Sequence, residues 1–211
     1  DISILIDTSP DIKSQITNNK IKDLDSILFT HEHADHTSGI FELRPFFWKY
    51  KKTLNIYGEK STVDDLKKRY DYCFKYKKGY VPILKSNIIK NKFEICSGKK
   101  RININCFNVK HGLIYSTAYV INKVAYISDC SEVLKKNYKD LNNLNYLIID
   151  CLKITKHPGH FNLEKALFLS KQLKPKKTIL TNLHTDLDYS KLKKILPKNI
   201  IPAYDGLSFN F

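Results

Sequence analysis

The sequence predicts an α/β protein, and three observations carry that reading. Short apolar runs with β-leaning composition recur along the chain, at residues 2–6, 24–29, 54–58, 144–151 and 177–181. Two of these, 144–151 and 177–181, flank an amphipathic stretch that opens at Asn162 and runs to about Leu173, a strand–helix–strand order. With 211 residues, 42% hydrophobic and 12% aromatic, the chain buries a sizeable core and is most simply one domain over residues 1–211.

Residues 2–6 read as a strand ending in Asp7-Thr8-Ser9-Pro10, and residues 11–20 as a short helix. The strand at 24–29 leads directly into a polar run taken up below. After Gly39, residues 40–48 read as a short helix capped by Asp35 or Thr37 and disturbed by Pro45. Residues 54–58 form a strand, and 61–76 an amphipathic helix with Val63, Leu66, Tyr70 and Cys73/Phe74 on one face. Residues 81–110 alternate as strands do. Residues 116–120 and 123–128 read as a hairpin turning near Asn122. Asn162 is the expected cap of the helix that stops before Pro175, and residues 203–209 are expected to form a closing strand.

The polar run is Thr30-His31-Glu32-His33-Ala34-Asp35-His36-Thr37-Ser38-Gly39. Three histidines and two carboxylates within six residues, directly behind an apolar strand, build a poor core and a good metal site. Where a strand runs into a loop, side chains at i and i+2 leave on the same side, so His31 and His33 can share one ion. Asp35 and His36 follow a turn and are placed to reach a second. Imidazole with carboxylate suits Zn²⁺, or Mn²⁺ and Fe²⁺ where more oxygen ligands join. Glu32 and Ala34, at alternate positions, are structural or support the ligands.

Composition removes several classes. Five scattered cysteines, none in C-x-x-C, indicate neither a disulfide framework nor a cysteine zinc knuckle. No apolar run approaches the roughly 18 residues that span a bilayer and no secretory segment opens the chain, so the expectation is a cytoplasmic protein without membrane association. The net charge of +15 invites a polyanion, yet lysine supplies nearly all of it, with Arg44, Arg69 and Arg101 the only arginines. A solvated lysine surface is the preferred reading and a polyanion-binding face the alternative. From Tyr70 to Tyr80 tyrosines and lysines interleave. Packed tyrosines with lysines facing water is the plainer account, and stacking of single-stranded nucleic acid or a nucleotide the sharper one.

The pattern H-x-H-x-D-H at His31 to His36 closely resembles the metallo-β-lactamase superfamily. Residues 4–11, the histidine motif running on to Arg44-Pro45-Phe46, His157-Pro158-Gly159-His160-Phe161-Asn162-Leu163, Asp186-Leu187-Asp188-Tyr189 and Ala203-Tyr204-Asp205-Gly206 resemble one branch of it. That branch holds the phosphoribosyl 1,2-cyclic phosphate phosphodiesterase and is related to the transfer-RNA 3′-processing endonucleases. The resemblance implies an αββα sandwich, here lacking its N-terminal strands. It implies two divalent ions, Zn or Mn, with His31, His33 and His111 on the first, Asp35 and His36 on the second, and Asp129 bridging. Asp7 matches the aspartate that buttresses the metal loops. His160 matches the histidine that protonates the leaving alkoxide, with Asp35 beside it in the catalytic set, while His157 orients or lies at the surface. The sequence departs from the family at Asn182, where a histidine ligand is usual, which leaves His184 as the imidazole able to replace it. Thr185 stands where a structural zinc's histidine would be.

The function implied is a dinuclear metal-dependent phosphodiesterase that hydrolyses a small cyclic or nucleotide-like phosphodiester. The alternatives are a nuclease acting on RNA or single-stranded DNA and a non-catalytic nucleic-acid-binding relative with a degraded metal site. A thioester or lactone hydrolase is also chemically possible. A small phosphodiester is the expected partner, nucleic acid is less favoured, and a homodimer is compatible with the chain.

Overall fold

The computed structural model describes residues 1–210 and is of mixed α/β class, as the sequence predicts. The chain divides into two compact units, residues 1–102 and residue 103 onward.

The first unit is built on a four-stranded, wholly parallel sheet in the order β1 (Ile4–Ile6), β2 (Ser26–Leu28), β3 (Leu54–Gly58), β4 (Leu84–Ile88). Parallel neighbours need crossovers. Between β1 and β2 lies helix α1 (Ile12–Asn18). Between β2 and β3 lie α2 (Ala34–Thr37), a 3-10 helix Ser38–Leu43 and α3 (Arg44–Tyr50). Between β3 and β4 lie α4 (Lys60–Arg69) and α5 (Asp71–Phe74). Their apolar faces meet in a core around Ile27, Phe29, Ile40, Leu43, Ile56, Leu66 and Cys73.

Three expectations change here. Pro45 does not disturb a helix but sits in the first turn of α3, where its missing N–H has no partner to lose. Thr37 precedes the 3-10 helix without capping it, because its hydroxyl instead donates back to the His33 carbonyl at 2.9 Å. The helix expected over 61–76 breaks at Tyr70 (φ −123°), so α4 and α5 are separate; the break buries Cys73, whose carbonyl accepts from Ile83 N at 2.9 Å.

Strand β5 (Lys92–Ser97) and the beginning of β6 (Lys100–His111) close the first unit, with Gly98 at φ +60° in the connecting turn. Strand β6 continues into the second unit and pairs antiparallel with β7 (Ile114–Ile121), which pairs antiparallel with β8 (Val124–Ile127). Asn122 and Lys123 both take positive φ (46° and 64°), the mirror-image turn that fits a two-residue hairpin. From β8 the sheet turns parallel through β9 (Tyr146–Asp150), β10 (Lys177–Thr181) and β11 (Ile200–Pro202).

Helix α6 (Leu163–Leu173) crosses between β9 and β10. Asn162 caps it, Oδ1 accepting from Lys165 N at 3.2 Å, and Lys174 ends it in the left-handed region just before Pro175. A final helix, α7 (Tyr189–Ile195), precedes β11. The closing strand falls upstream of its expected place: Ala203 N still donates to Leu180 O, but Tyr204 to Leu207 then form a turn with Gly206 at φ +89°. Among the described residues no helix is long and apolar enough to cross a membrane.

Candidate metal centre

Each unit carries its own cluster of imidazoles and carboxylates. In the first, the loop after β2 is clamped to the end of β1. Asp7 takes φ +61°, which turns its side chain back towards the loop. Its Oδ1 accepts from Thr30 N at 2.7 Å, and its Oδ2 accepts from Thr30 Oγ1 at 2.7 Å and from His36 Nδ1 at 2.8 Å. The Thr30 hydroxyl, having given its proton to Asp7, accepts from His31 Nδ1 at 3.0 Å. Thr8 completes the clamp: its N–H donates to His36 O at 2.7 Å and its carbonyl accepts from Gly39 N at 3.0 Å.

This network fixes two tautomers. With Nδ1 of His31 and His36 committed as donors, Nε2 of each is the nitrogen suited to ligation. The His31 ring centroid lies 4.5 Å from that of His33 and 4.4 Å from that of His36, and Asp35 Oδ2 lies 3.5 Å from His36 Nε2. His31 is fully buried while Asp35 and His33 are exposed. Burial pushes the Asp7 carboxyl above its ordinary range, and its bonds to His36 and Thr30 pull against that. Glu32 points to the side, where its carboxylate accepts from Thr62 Oγ1 at 3.3 Å and its carbonyl from Arg69.

The second unit repeats the device. His111 ends β6, and its Nδ1 donates to Gly159 O at 2.7 Å. A carbonyl only accepts, so the proton sits on Nδ1, and Nε2 lies 3.5 Å from Asp129 Oδ2. Asp129, just past β8, also has a left-handed backbone (φ +48°), and its Oδ1 accepts from Ser128 Oγ at 3.0 Å. His160 Nδ1 lies 2.9 Å from Asp150 Oδ2 and His160 Nε2 3.9 Å from Asp129 Oδ2. His111 and His160 are edge to face at 4.7 Å. His111 Nε2 and Asp129 are ligand types that suit a divalent transition ion, while His160 stands beside them with its Nδ1 held by Asp150.

The expected residues are placed as follows. His31, His33, Asp35 and His36 stand on the loop after β2, His111 at the end of β6, Asp129 just past β8 and His160 ahead of α6. His157 lies beside His160, its Nδ1 accepting from Gly159 N, and burial lowers its pKa. His184 is exposed, with Nδ1 on Asp186 Oδ1 at 3.1 Å. It is Asn182, at φ +61° after β10, that reaches in, Nδ2 lying 3.4 Å from Asp129 Oδ1 and 3.2 Å from Asp150 Oδ1.

Asp150 is the residue that sequence reasoning missed. It has no exposed surface and accepts from His160 Nδ1, Cys130 N, Phe161 N and Asn182 Nδ2. A signal existed. Asp7, Asp129 and Asp150 each stand at the end of an apolar strand, and the third was read as strand alone.

Comparison with known proteins agrees with this geometry. Residues 3–182 match a family model described as the beta-lactamase superfamily domain. A curated protein of Porphyromonas gingivalis (strain ATCC BAA-308 / W83), an octanoyltransferase, is 31% identical over 97% of this chain, which spans only 41% of that protein's length. A crystal structure of a diphosphatase from the PhnP family is similar with a TM-score of 0.87 at 28% identity, covering 97% of this chain and 77% of that one. The metallo-beta-lactamase fold protein YhfI of Bacillus subtilis is similar with a TM-score of 0.78 at 21% identity, covering 98% and 86%.

Proposed function

The chain belongs to the beta-lactamase superfamily, and from that premise we propose that it is a metal-dependent hydrolase, specifically a dinuclear phosphodiesterase acting on a small cyclic or nucleotide-like phosphodiester. In this reading His31, His33, Asp35, His36, His111 and Asp129 are the residues that would hold the ions, in one catalytic domain over residues 1–211. The ions are Zn²⁺ or Mn²⁺. When bound they supply Lewis acidity and an activated water near neutral pH.

The observation that carries the reading is His160 Nδ1 on the buried Asp150. A buried carboxylate stabilises the imidazolium, so His160 holds a proton at Nε2 beside Asp129 and can give it to a departing alkoxide. An alkoxide is a poor leaving group and needs that proton. The Asp7–Thr30–His31/His36 network holds the ligating nitrogens in one orientation, which reduces reorganisation in the reaction.

A second reading comes from the octanoyltransferase relative, which suggests hydrolysis of an octanoyl ester or thioester. A thiolate leaves without a proton, so a thioester would give His160 little to do. Metal content by mass spectrometry, with hydrolysis of bis(p-nitrophenyl) phosphate and of p-nitrophenyl octanoate run side by side, tests both. About two ions and phosphodiester turnover support the proposal; turnover of the octanoate ester alone favours the second reading, and neither activity rejects both.

A further inference from the structure

The tyrosine–lysine interleave of the sequence does not simply pack. In the first unit Phe41, Arg44, Tyr72, Lys77, Lys78 and Tyr80 line an open cavity of about 620 Å³, within the range of small-ligand sites. One wall stands on the helical run that begins at the histidine motif, since Phe41 lies in the 3-10 helix and Arg44 opens α3. The other wall is the interleaved segment.

The Arg44 guanidinium carries no carboxylate partner among the described residues. It lies instead over three aromatic rings, 5.7 Å from the centroids of Phe41 and Trp48 and 5.3 Å from Tyr80. Phe41 and Tyr72 pack at 4.7 Å, and Tyr72 meets Tyr80 edge to face at 6.5 Å. Two buried polar atoms in this wall, Arg44 Nε and Tyr72 Oη, have no hydrogen-bond partner. Buried donors of this kind are rare and point to a ligand. Lys77 is paired with Asp71 at 2.7 Å, which lowers the Asp71 carboxyl, whereas Lys78 has no acidic partner among the described residues.

We propose that this cavity binds the base of a nucleotide: the ring lies against the aromatic wall, a ring nitrogen or carbonyl oxygen accepts from Arg44 Nε and Tyr72 Oη, and Lys78 faces the phosphate. Each feature excludes a simpler occupant. An alkyl chain would leave both buried donors unsatisfied. A bare phosphate would leave the aromatic wall unused. Burial raises the Tyr72 phenol above its ordinary value, so it stays protonated and able to donate. The inference rests on the phosphodiesterase reading only for its consequence, that the ester hydrolysed is a nucleotide.

Trp48, the sole tryptophan, reports on the site through Arg44. Its fluorescence is followed as AMP or UMP is added to the metal-loaded protein, with ribose 5-phosphate, inorganic phosphate and octanoate as comparison ligands. A saturable change is expected with the nucleotides, at least about tenfold tighter than with ribose 5-phosphate, from base stacking and two hydrogen bonds. Tyr72→Phe keeps the ring and removes the hydroxyl; it is expected to weaken AMP binding about fivefold and leave ribose 5-phosphate binding unchanged. Arg44→Lys is expected to weaken AMP about tenfold or more. Equal affinity for AMP and ribose 5-phosphate, preferential binding of octanoate, or unchanged AMP affinity in both variants overturns the proposal. Turnover of bis(p-nitrophenyl) phosphate by the same wild-type preparation separates the two readings. Turnover without nucleotide binding rejects the pocket alone, and nucleotide binding without turnover supports the pocket and rejects the phosphodiesterase.

Discussion

His160 presents Nδ1 to Asp150 Oδ2 at 2.9 Å, and that carboxylate has no exposed surface. The same oxygen accepts from Cys130 N and Phe161 N, so its position is fixed by backbone on two sides. Asp150→Asn replaces an acceptor with an amide that cannot serve all these donors. The imidazolium loses its stabilising charge. The expected result is a fall of about 100-fold in kcat for a substrate with an alkoxide leaving group, such as a 2′,3′-cyclic nucleotide, with metal content retained, a loss comparable to that of His160→Ala, and a much smaller fall for bis(p-nitrophenyl) phosphate, whose p-nitrophenolate leaves without a proton. Equal losses on the two substrates would mean a purely structural role for Asp150.

Asn182 and His184 are the two side chains that compete for the remaining ligand position of the proposed second ion. The left-handed Asn182 reaches Asp129 and Asp150, while His184 pairs with Asp186. Burial opposes ionisation of Asp186, yet hydrogen bonds from Ile154 N and His184 hold it below the ordinary carboxylate range. A swing of His184 inward would break that pair. His184→Ala is therefore expected to keep the wild-type metal stoichiometry, and Asn182→His to tighten the second ion by about tenfold or more, read by competition with a chromophoric chelator. Loss of one ion in His184→Ala would restore His184 to the ligand set.

Much of the first cluster was legible in the sequence because its residues are local. His31 to His36 fall on one loop, and strand alternation alone places the first two together. The support beneath them was not legible. Asp7 and Thr30 are 23 residues apart and meet only because β1 and β2 are parallel neighbours. Asp150 escaped for the same reason: its four donors come from three separate stretches, and none marks the aspartate locally. The Tyr70 to Tyr80 interleave was visible as composition, but only the fold shows that Arg44, from a different crossover, joins it.

Gly39 closes the histidine motif at a point of close approach. A Cβ built there would lie 2.0 Å from the Ser9 carbonyl oxygen and 2.5 Å from Ile12 Cγ2. The first neighbour is backbone and cannot rotate away, so the loop or the β1–α1 connection must shift. Gly39→Ala is expected to destabilise the protein by about 3 kcal/mol in urea unfolding. Because Gly39 N and His36 O both bond to Thr8, first-cluster metal affinity should fall with it. An unchanged unfolding midpoint would mean that this clamp does not govern the loop.

The thiols give a prediction free of the metal chemistry. Cys73, Cys106, Cys130 and Cys151 are buried and Cys96 is exposed, so one thiol per native chain should react with Ellman's reagent, and all five only in denaturant. Even Cys96 should be slow near neutral pH, because its hydrogen bond to Glu94 raises its pKa and reduces the thiolate. Burial raises Cys151 further, from 9.0 to about 12, with the charges of Asp150 and Asp186 adding to it. For an acid whose folded pKa lies above its unfolded value, the unfolded chain releases the proton first as pH rises. Folding stability should therefore decline once pH passes about 9 and continue to fall towards about 12. Urea midpoints measured at several pH values in that window should drop more steeply for the wild type than for Cys151→Ala; equal slopes would mean that the Cys151 thiol does not contribute to the alkaline loss.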